Sequence, residues 1–515
     1  MSSYSDIIDI DSFSTWLNLQ TGSAHKCLRG QLDNWKSDPQ TLVSLSSRFK
    51  RFRQAIEKNA EFYPKSEEIF RKIAEIEKRI QKLLGQSSDL ERESYGEILF
   101  LKSYLAPLNF IPFILSFWSI TRVYILPGLA FLVPFLTLVA PYFLMRFAFN
   151  IPITFNNYVN ILHSMASGQI GNILSGEVKQ APSINFAAFF KQFGLIIVTF
   201  IQGIIQPYWT YKHLKSIDSI VYEQGQLIQE FRDLYDELKE LLKENGFTFF
   251  KCPLPQMNGP RDAVARVILE SNYFKMALKY IGGLEVIIKL ASKKEINPVK
   301  WVKYEGYPIV RLQNTFDYNV PEDRRQTISF HFNKSKHHSL LTGPNKGGKS
   351  TSLRALSIST LLAHTYGCAI ADTPIMTPFS KICVCLKPDD LPGSKSRFER
   401  EVEFTANTLK YNEPIMICID ELYHSTNPPD ALRSCEIYCN QLWKKHNAVS
   451  VISTHLFELV EKAPDNIINL CCPARLDKEG NIHFSYKLEQ GICKVSSVDE
   501  LLKQNGLINN LTKIE

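Results

Sequence analysis

Residues 340–357, LLTGPNKGGKSTSLRALS, constrain this chain more tightly than any other stretch of it. An apolar run leads into a loop of the pattern G-x-x-x-x-G-K-S, from Gly343 to Ser350. An amphipathic stretch follows, predicted to be a helix with Leu353, Leu356, Ile358 and Leu361 inside. Strand, glycine loop and helix in that order make a phosphate cradle. Glycines let backbone N–H groups approach phosphate oxygens, and the helix N-terminus adds its positive dipole. Lys349 is expected to reach the β- and γ-phosphates and the Ser350 hydroxyl to ligate Mg²⁺. Pro344, Asn345, Lys346, Gly347, Gly348 and Thr351 complete the expected ATP-binding set with Gly343.

A cradle of this kind needs an acid at the end of a neighbouring strand. Ile415 to Ile419 is a continuous apolar run, and Asp420-Glu421 follows it directly. Asp420 is predicted to hold Mg²⁺ through its water shell and Glu421 to polarise the attacking water. An Asp-Glu pair alone would be a solvated turn; a five-residue apolar strand before it argues otherwise. A third strand, AVSVIS, ends at Thr454-His455, where a side chain sensing the γ-phosphate is expected. From about Ile296 onward, short apolar strands alternate with helices, the texture of a wound α/β domain.

The preceding 300 residues differ. Ile69, Ile73, Ile76, Ile80 and Leu83 recur at 4-3-4-3 spacing, and Leu227, Phe231, Leu234, Leu238 and Leu241 repeat it. Such narrow stripes among charges are long-helix seams, and they predict two arms, either paired antiparallel or packed separately on the body. Between them lies an uncharged tract. Arg122 is the one formal charge from Leu105 to Met145, and residues 123–145 are apolar for long enough to span a hydrocarbon core. Residues 193–211 form a second candidate, flanked by Lys191 and Lys212. Arms on one side of a bilayer would require an even number of crossings. The other expectation is a greasy helical subdomain buried against its own kind or a partner. Pro127, Pro134 and Pro141 interrupt the first tract, although membrane helices tolerate proline.

Composition narrows little else. A net charge of +7 permits an anionic partner. The eleven cysteines do not form a disulfide scaffold or a zinc spacing, which suits a reducing intracellular compartment. The first basic residue is Lys26, so no basic leader is expected.

TGPNKGGKST, DDLPGSKSRFEREVEFTANTL, DELYHSTNPPDA and STHLFEL stand in the order and approximate spacing of the MutS family of DNA mismatch-repair ATPases, which residues 305–490 resemble. The resemblance implies an ABC-type P-loop domain preceded by an all-α core with lever helices. It divides the chain into 1–100 (helical core and first lever arm), 101–212 (apolar, membrane-inserted or buried), 213–300 (second arm and core), 301–490 (ATPase domain) and 491–515 (tail). It also implies a composite site in a homodimer, or in a heterodimer with a related subunit. Lys349, Ser350, Asp420, Glu421 and His455 act in cis there, and Ser396 reaches the nucleotide of the other subunit. Tyr318 or Phe316 would stack on adenine.

Three departures stand out. Lys346 replaces the usual Met, His424 replaces the usual Arg, and no mismatch-sensing Phe-x-Glu wedge precedes the core; EFYPKSEE is a poor imitation. A DNA clamp needs cations to neutralise phosphates, and residues 105–145 offer one. The first expectation is therefore a Mg²⁺-dependent ATPase dimer acting on DNA, not mismatch-specific. The alternative is a membrane-attached mechanical ATPase that no longer acts on DNA, with its ATPase domain on the cytosolic side. A catalytically quiet scaffold is a third, weaker reading, which the intact Lys349, Asp420 and Glu421 oppose.

Overall fold

The computed structural model describes residues 4–85, 89–102, 104–166, 201–247, 254–386, 396–476 and 482–495, with Val198 and Leu502. The chain divides into two compact units. The first comprises residues 1–74, 238–250 and 278–515; the second comprises 75–237 and 251–277.

The first unit is built on a six-stranded sheet. Its strands lie in the order Glu489–Gln490, Ile467–Cys471, His338–Thr342, Ala448–Ser453, Ile415–Ile419 and Lys381–Cys385. All pair in parallel except the short edge strand Glu489–Gln490. Every residue of the strands 338–342, 415–419 and 448–453 is buried, as strands covered on both faces must be. The helix Lys349–Tyr366 lies under this sheet, and Leu353, Leu356, Ile358 and Leu361 are buried on it as the periodicity predicts. A smaller sheet orders Lys300–Trp301, Ile375–Met376, Val310–Thr315 and Ile328–Phe332.

The N-terminal helices Ile10–Leu17, Gly22–Leu32 and Pro39–Lys58 begin on Asp9, Thr21 and Asp38, each of whose side chains accepts a backbone N–H of the first turn. The second and third of them pack on the helix Lys349–Tyr366 that underlies the large sheet. Trp35 stacks on His364 with ring centroids 4.0 Å apart, and a Cβ at Gly367 would lie 2.3 Å from the Ser46 nitrogen. The compact units therefore cut across the five-way division expected from the sequence. The apolar faces of these helices find their partners some 300 residues downstream, which no local pattern announces.

Both seams are helical and buried. Ile69 to Leu83 lies on Phe62–Gly85, and Phe231, Leu234, Leu238 and Leu241 are buried on Gln206–Glu244, with Leu227 partly so. In the second unit, Pro112–Ile120 and Leu126–Phe143 join through the π-helical turns Thr121–Ile125 and Leu144–Ala148 into one helix over residues 112–148. Pro134 and Pro141 sit inside it. Of the second apolar candidate, residues 201–211 are described along with Val198; the rest lies outside the described residues.

Candidate nucleotide site

The parallel register decides which side chains meet. Leu341 pairs with Ser453, and Ile452 pairs with Ile419, so three strands end at one edge of the sheet. The glycine loop, Asp420-Glu421 and Thr454-His455 all leave from that edge, where ligands of parallel α/β sheets sit. The loop turns through positive φ at Gly343 (147°), Lys346 (66°) and Gly348 (103°). A Cβ at Gly343 would stand 2.9 Å from the Cys472 carbonyl oxygen, so glycine alone fits the approach. Lys346 takes the left-handed conformation without being glycine and holds its exposed ammonium at the loop tip.

Lys349 opens the helix, and its Nζ donates to the carbonyls of Gly343 (2.9 Å) and Pro344 (3.2 Å) while lying 3.1 Å from His455 Nε2. Burial lowers the pKa of this ammonium, and the nearby Glu421 and Asp420 carboxylates push it back up. His455 Nε2 also lies 3.3 Å from Glu421 Oε1. One ring nitrogen thus faces a cation and an anion: neutral there, it accepts from Lys349, and protonated, it donates to Glu421. Its hydrogen bond is the largest influence holding the Glu421 carboxyl below its ordinary pKa, with burial opposing and His424 and Lys349 assisting.

Sequence reasoning overlooked Ser453. Its hydroxyl donates to Asp420 Oδ1 at 2.5 Å and accepts from the Glu421 backbone N–H at 2.8 Å. Glu421 is held at φ 54°, a strained value for a residue with a Cβ, and this serine with the Cys385 carbonyl, which accepts from the Asp420 N–H at 2.8 Å, fixes the turn. A polar residue closing the strand directly before Thr454-His455 was the available signal.

A cavity of about 540 Å³ opens over the loop, lined by Asn345, Lys346, Lys349, Ser350, Thr351 and Glu421 on one side and by Phe316, Arg325, Ile328 and Tyr486 on the other. The Arg325 guanidinium stands 4.3 Å from the Phe316 ring centroid. Tyr318 does not line this cavity. It is 4% exposed, packs edge-on against Phe13 at 4.9 Å and donates its hydroxyl to the Asp9 carbonyl at 3.1 Å, with burial pushing its pKa up to about 12. The two aromatics lie two residues apart in a loop, and period alone could not decide which faces the cavity. Ser396 is exposed and caps the helix Arg397–Leu409 in a reciprocal capping box with Glu399. The loop before it, residues 387–395, lies outside the described residues.

Among the described residues no cluster of three or more His, Cys, Asp or Glu is arranged to hold a metal. Mg²⁺ needs no such cage: it keeps most of its waters and takes one or two hard oxygen ligands with substrate phosphates. Ser350 and Asp420 supply hard oxygens of that kind, and Asp420 is already oriented by Ser453. The residues fit the ion.

A parallel sheet with a glycine loop, a strand-end acid pair and a third-strand histidine at one edge defines an α/β ATPase-type domain. Residues 339–509 match the family model described as MutS domain V.

Proposed function

We propose that the chain binds and hydrolyses ATP as a dimer, and that the nucleotide cycle moves its long helices. The convergence of Lys349, Asp420, Glu421, Ser453 and His455 at one sheet edge supports this reading most directly. The loop N–H groups and the helix N-terminus would hold the phosphates, with Phe316 and Arg325 beside the base. Glu421, kept ionised, would accept a proton from the attacking water, and His455 would orient it while answering the charge on Lys349. Mg²⁺ held by Ser350 and Asp420 would neutralise charge on the phosphate oxygens. Ser396 of one subunit reaching the site of the other belongs to the same proposal.

The match of residues 339–509 to MutS domain V supports DNA as the partner. The basic stretch 48–58 adds little to it, because the Arg51 guanidinium donates to the Gly246 carbonyl at 2.9 Å and Arg53 donates to the carbonyls of Lys293 and Ile296. Replacing Glu421 with Gln tests the whole reading. Turnover should fall by roughly 100-fold or more, ATP should still bind, and an ATP-dependent dimer should accumulate by light scattering. That trapped dimer should bind DNA with an affinity that falls steeply with salt. Normal turnover in E421Q would remove Glu421 as the base, and absence of DNA binding at low salt would remove DNA as the partner.

A second reading has an observation of its own. The helix over residues 112–148 exposes large apolar side chains along its length, which favours a membrane-attached ATPase.

A further inference from the structure

In the second unit, Phe117, Leu129, Leu132, Phe135, Leu136 and Phe147 are each 49–67% exposed. Exposure is not confined to a stripe. Phe131, Leu132 and Val133 are consecutive, about 100° apart around the axis, and all three are exposed. Burial follows one stripe through Leu115, Ser119, Val123 and Tyr142, and the rest of the circumference is apolar and exposed, as in a helix surrounded by an apolar medium. We propose that the helix over residues 112–148 crosses a lipid bilayer with the start of the 201–244 helix alongside it, and that cation–aromatic pairs at its two ends mark the membrane interfaces. This deepens the second reading above and rests on it.

The dimensions agree. Between Arg122 and Arg146 the helix carries no charge and rises about 35 Å at 1.5 Å per residue, against a hydrocarbon core of about 30 Å. At one end the Lys212 ammonium lies 5.5 Å from the Trp209 ring and Lys215 lies 5.6 Å from Tyr211, whose ring is 5.8 Å from Tyr124. At the other end Arg146 lies 5.8 Å from the Phe147 ring and donates to the Tyr142 hydroxyl at 2.6 Å. Tyr and Trp with snorkelling cations are what the two headgroup layers select. The pair Tyr124 beside Tyr211, with Pro134 against Gly203, makes the helices antiparallel. A Cβ at Gly203 would stand 2.0 Å from Pro134 Cγ, so a glycine allows the close approach that packs helices in lipid. At the root, Ser119 donates to Asp218 at 2.8 Å and Arg261 grips Asp218 with two bonds of 2.7 Å. Both chain ends of the pair therefore leave on one side of the bilayer.

The test uses the full chain, extracted with alkaline carbonate and floated with vesicles of phosphatidylethanolamine and phosphatidylglycerol. The chain should resist extraction and float. Leu132→Arg with Leu136→Arg should cut the floating fraction at least tenfold, whereas Leu132→Phe should not. Phe135→Lys gives the same readout should the double variant fail to fold by circular dichroism. Release of the wild-type chain by carbonate, or a double variant that floats like it, overturns the proposal. A soluble oligomer that the double variant dissociates also overturns it, assigning the surface to a second copy. A wild-type chain that carbonate releases but that still floats would keep membrane attachment and lose the crossing alone, so failure of the proposal is distinguishable from failure of the reading it rests on.

Discussion

Ser453 is a side chain of two heavy atoms that holds both acids of the site. Its hydroxyl fixes the Asp420 carboxylate, and its lone pair takes the Glu421 N–H at a turn that glycine would adopt more readily. A lost hydrogen bond to a charged group costs roughly 1.5–3 kcal/mol. Ser453→Ala should accordingly lower kcat roughly 10- to 100-fold while leaving ATP affinity within a few-fold, with Thr restoring most of the rate. Because Ser453 acts through its neighbours, a KM that rises while kcat holds would contradict this positioning role. The same scale explains Tyr318 and Phe316. Two aromatics in one loop were legible as candidates, but only the packing of Phe13 on Tyr318 turned one ring away from the cavity.

Among the elements, the long helix Gln206–Glu244 carries a glycine in its interior, Gly225. By intrinsic propensity, glycine to alanine in a helix gains up to about 1 kcal/mol. Here the new Cβ would stand 1.9 Å from the Pro260 carbonyl oxygen, where the helix Pro260–Leu269 begins. Overpacking of this kind costs about 1–3 kcal/mol. Gly225→Ala should therefore lower the thermal midpoint by several degrees, and a rise would show that propensity outweighs the contact. The seams were legible at this scale because a 4-3-4-3 stripe is a local property. The close approach at Gly225 was not, because the oxygen it accommodates arrives 35 residues later in the chain. The compact units were equally hidden: Trp35 stacks on His364 across a separation that periodicity does not encode.

At the scale of the molecule, acid is the informative perturbation. Burial lowers the pKa of both His338 and His364 from 6.5 to about 3. His364 shows why: Nε2 accepts the Phe379 N–H, so Nδ1 carries the proton and donates to the Lys36 carbonyl, and a second proton would break the first bond. The unfolded chain takes up protons below 6.5 that the folded chain refuses. Stability should fall as pH drops from 6.5 toward 3, by about 1.4 kcal/mol per pH unit for each histidine. Urea midpoints between pH 7 and 5 check this, and a flat profile would mean that the rings are charged in the folded state.

A glycine loop before a helix and an acid pair after an apolar strand are local patterns with few physical uses, so sequence alone was enough to place a candidate nucleotide site at them. It also determined the uncharged tract, since hydropathy is additive along a chain. The tertiary structure decided what those patterns meet. Parallel pairing of strands far apart in sequence brought His455 within reach of both Lys349 and Glu421 and set Ser453 between the acids. It also left the apolar helix exposed outside the stripe that carries Leu115, Val123 and Tyr142, which composition cannot show, because burial depends on what a residue packs against and not on what it is.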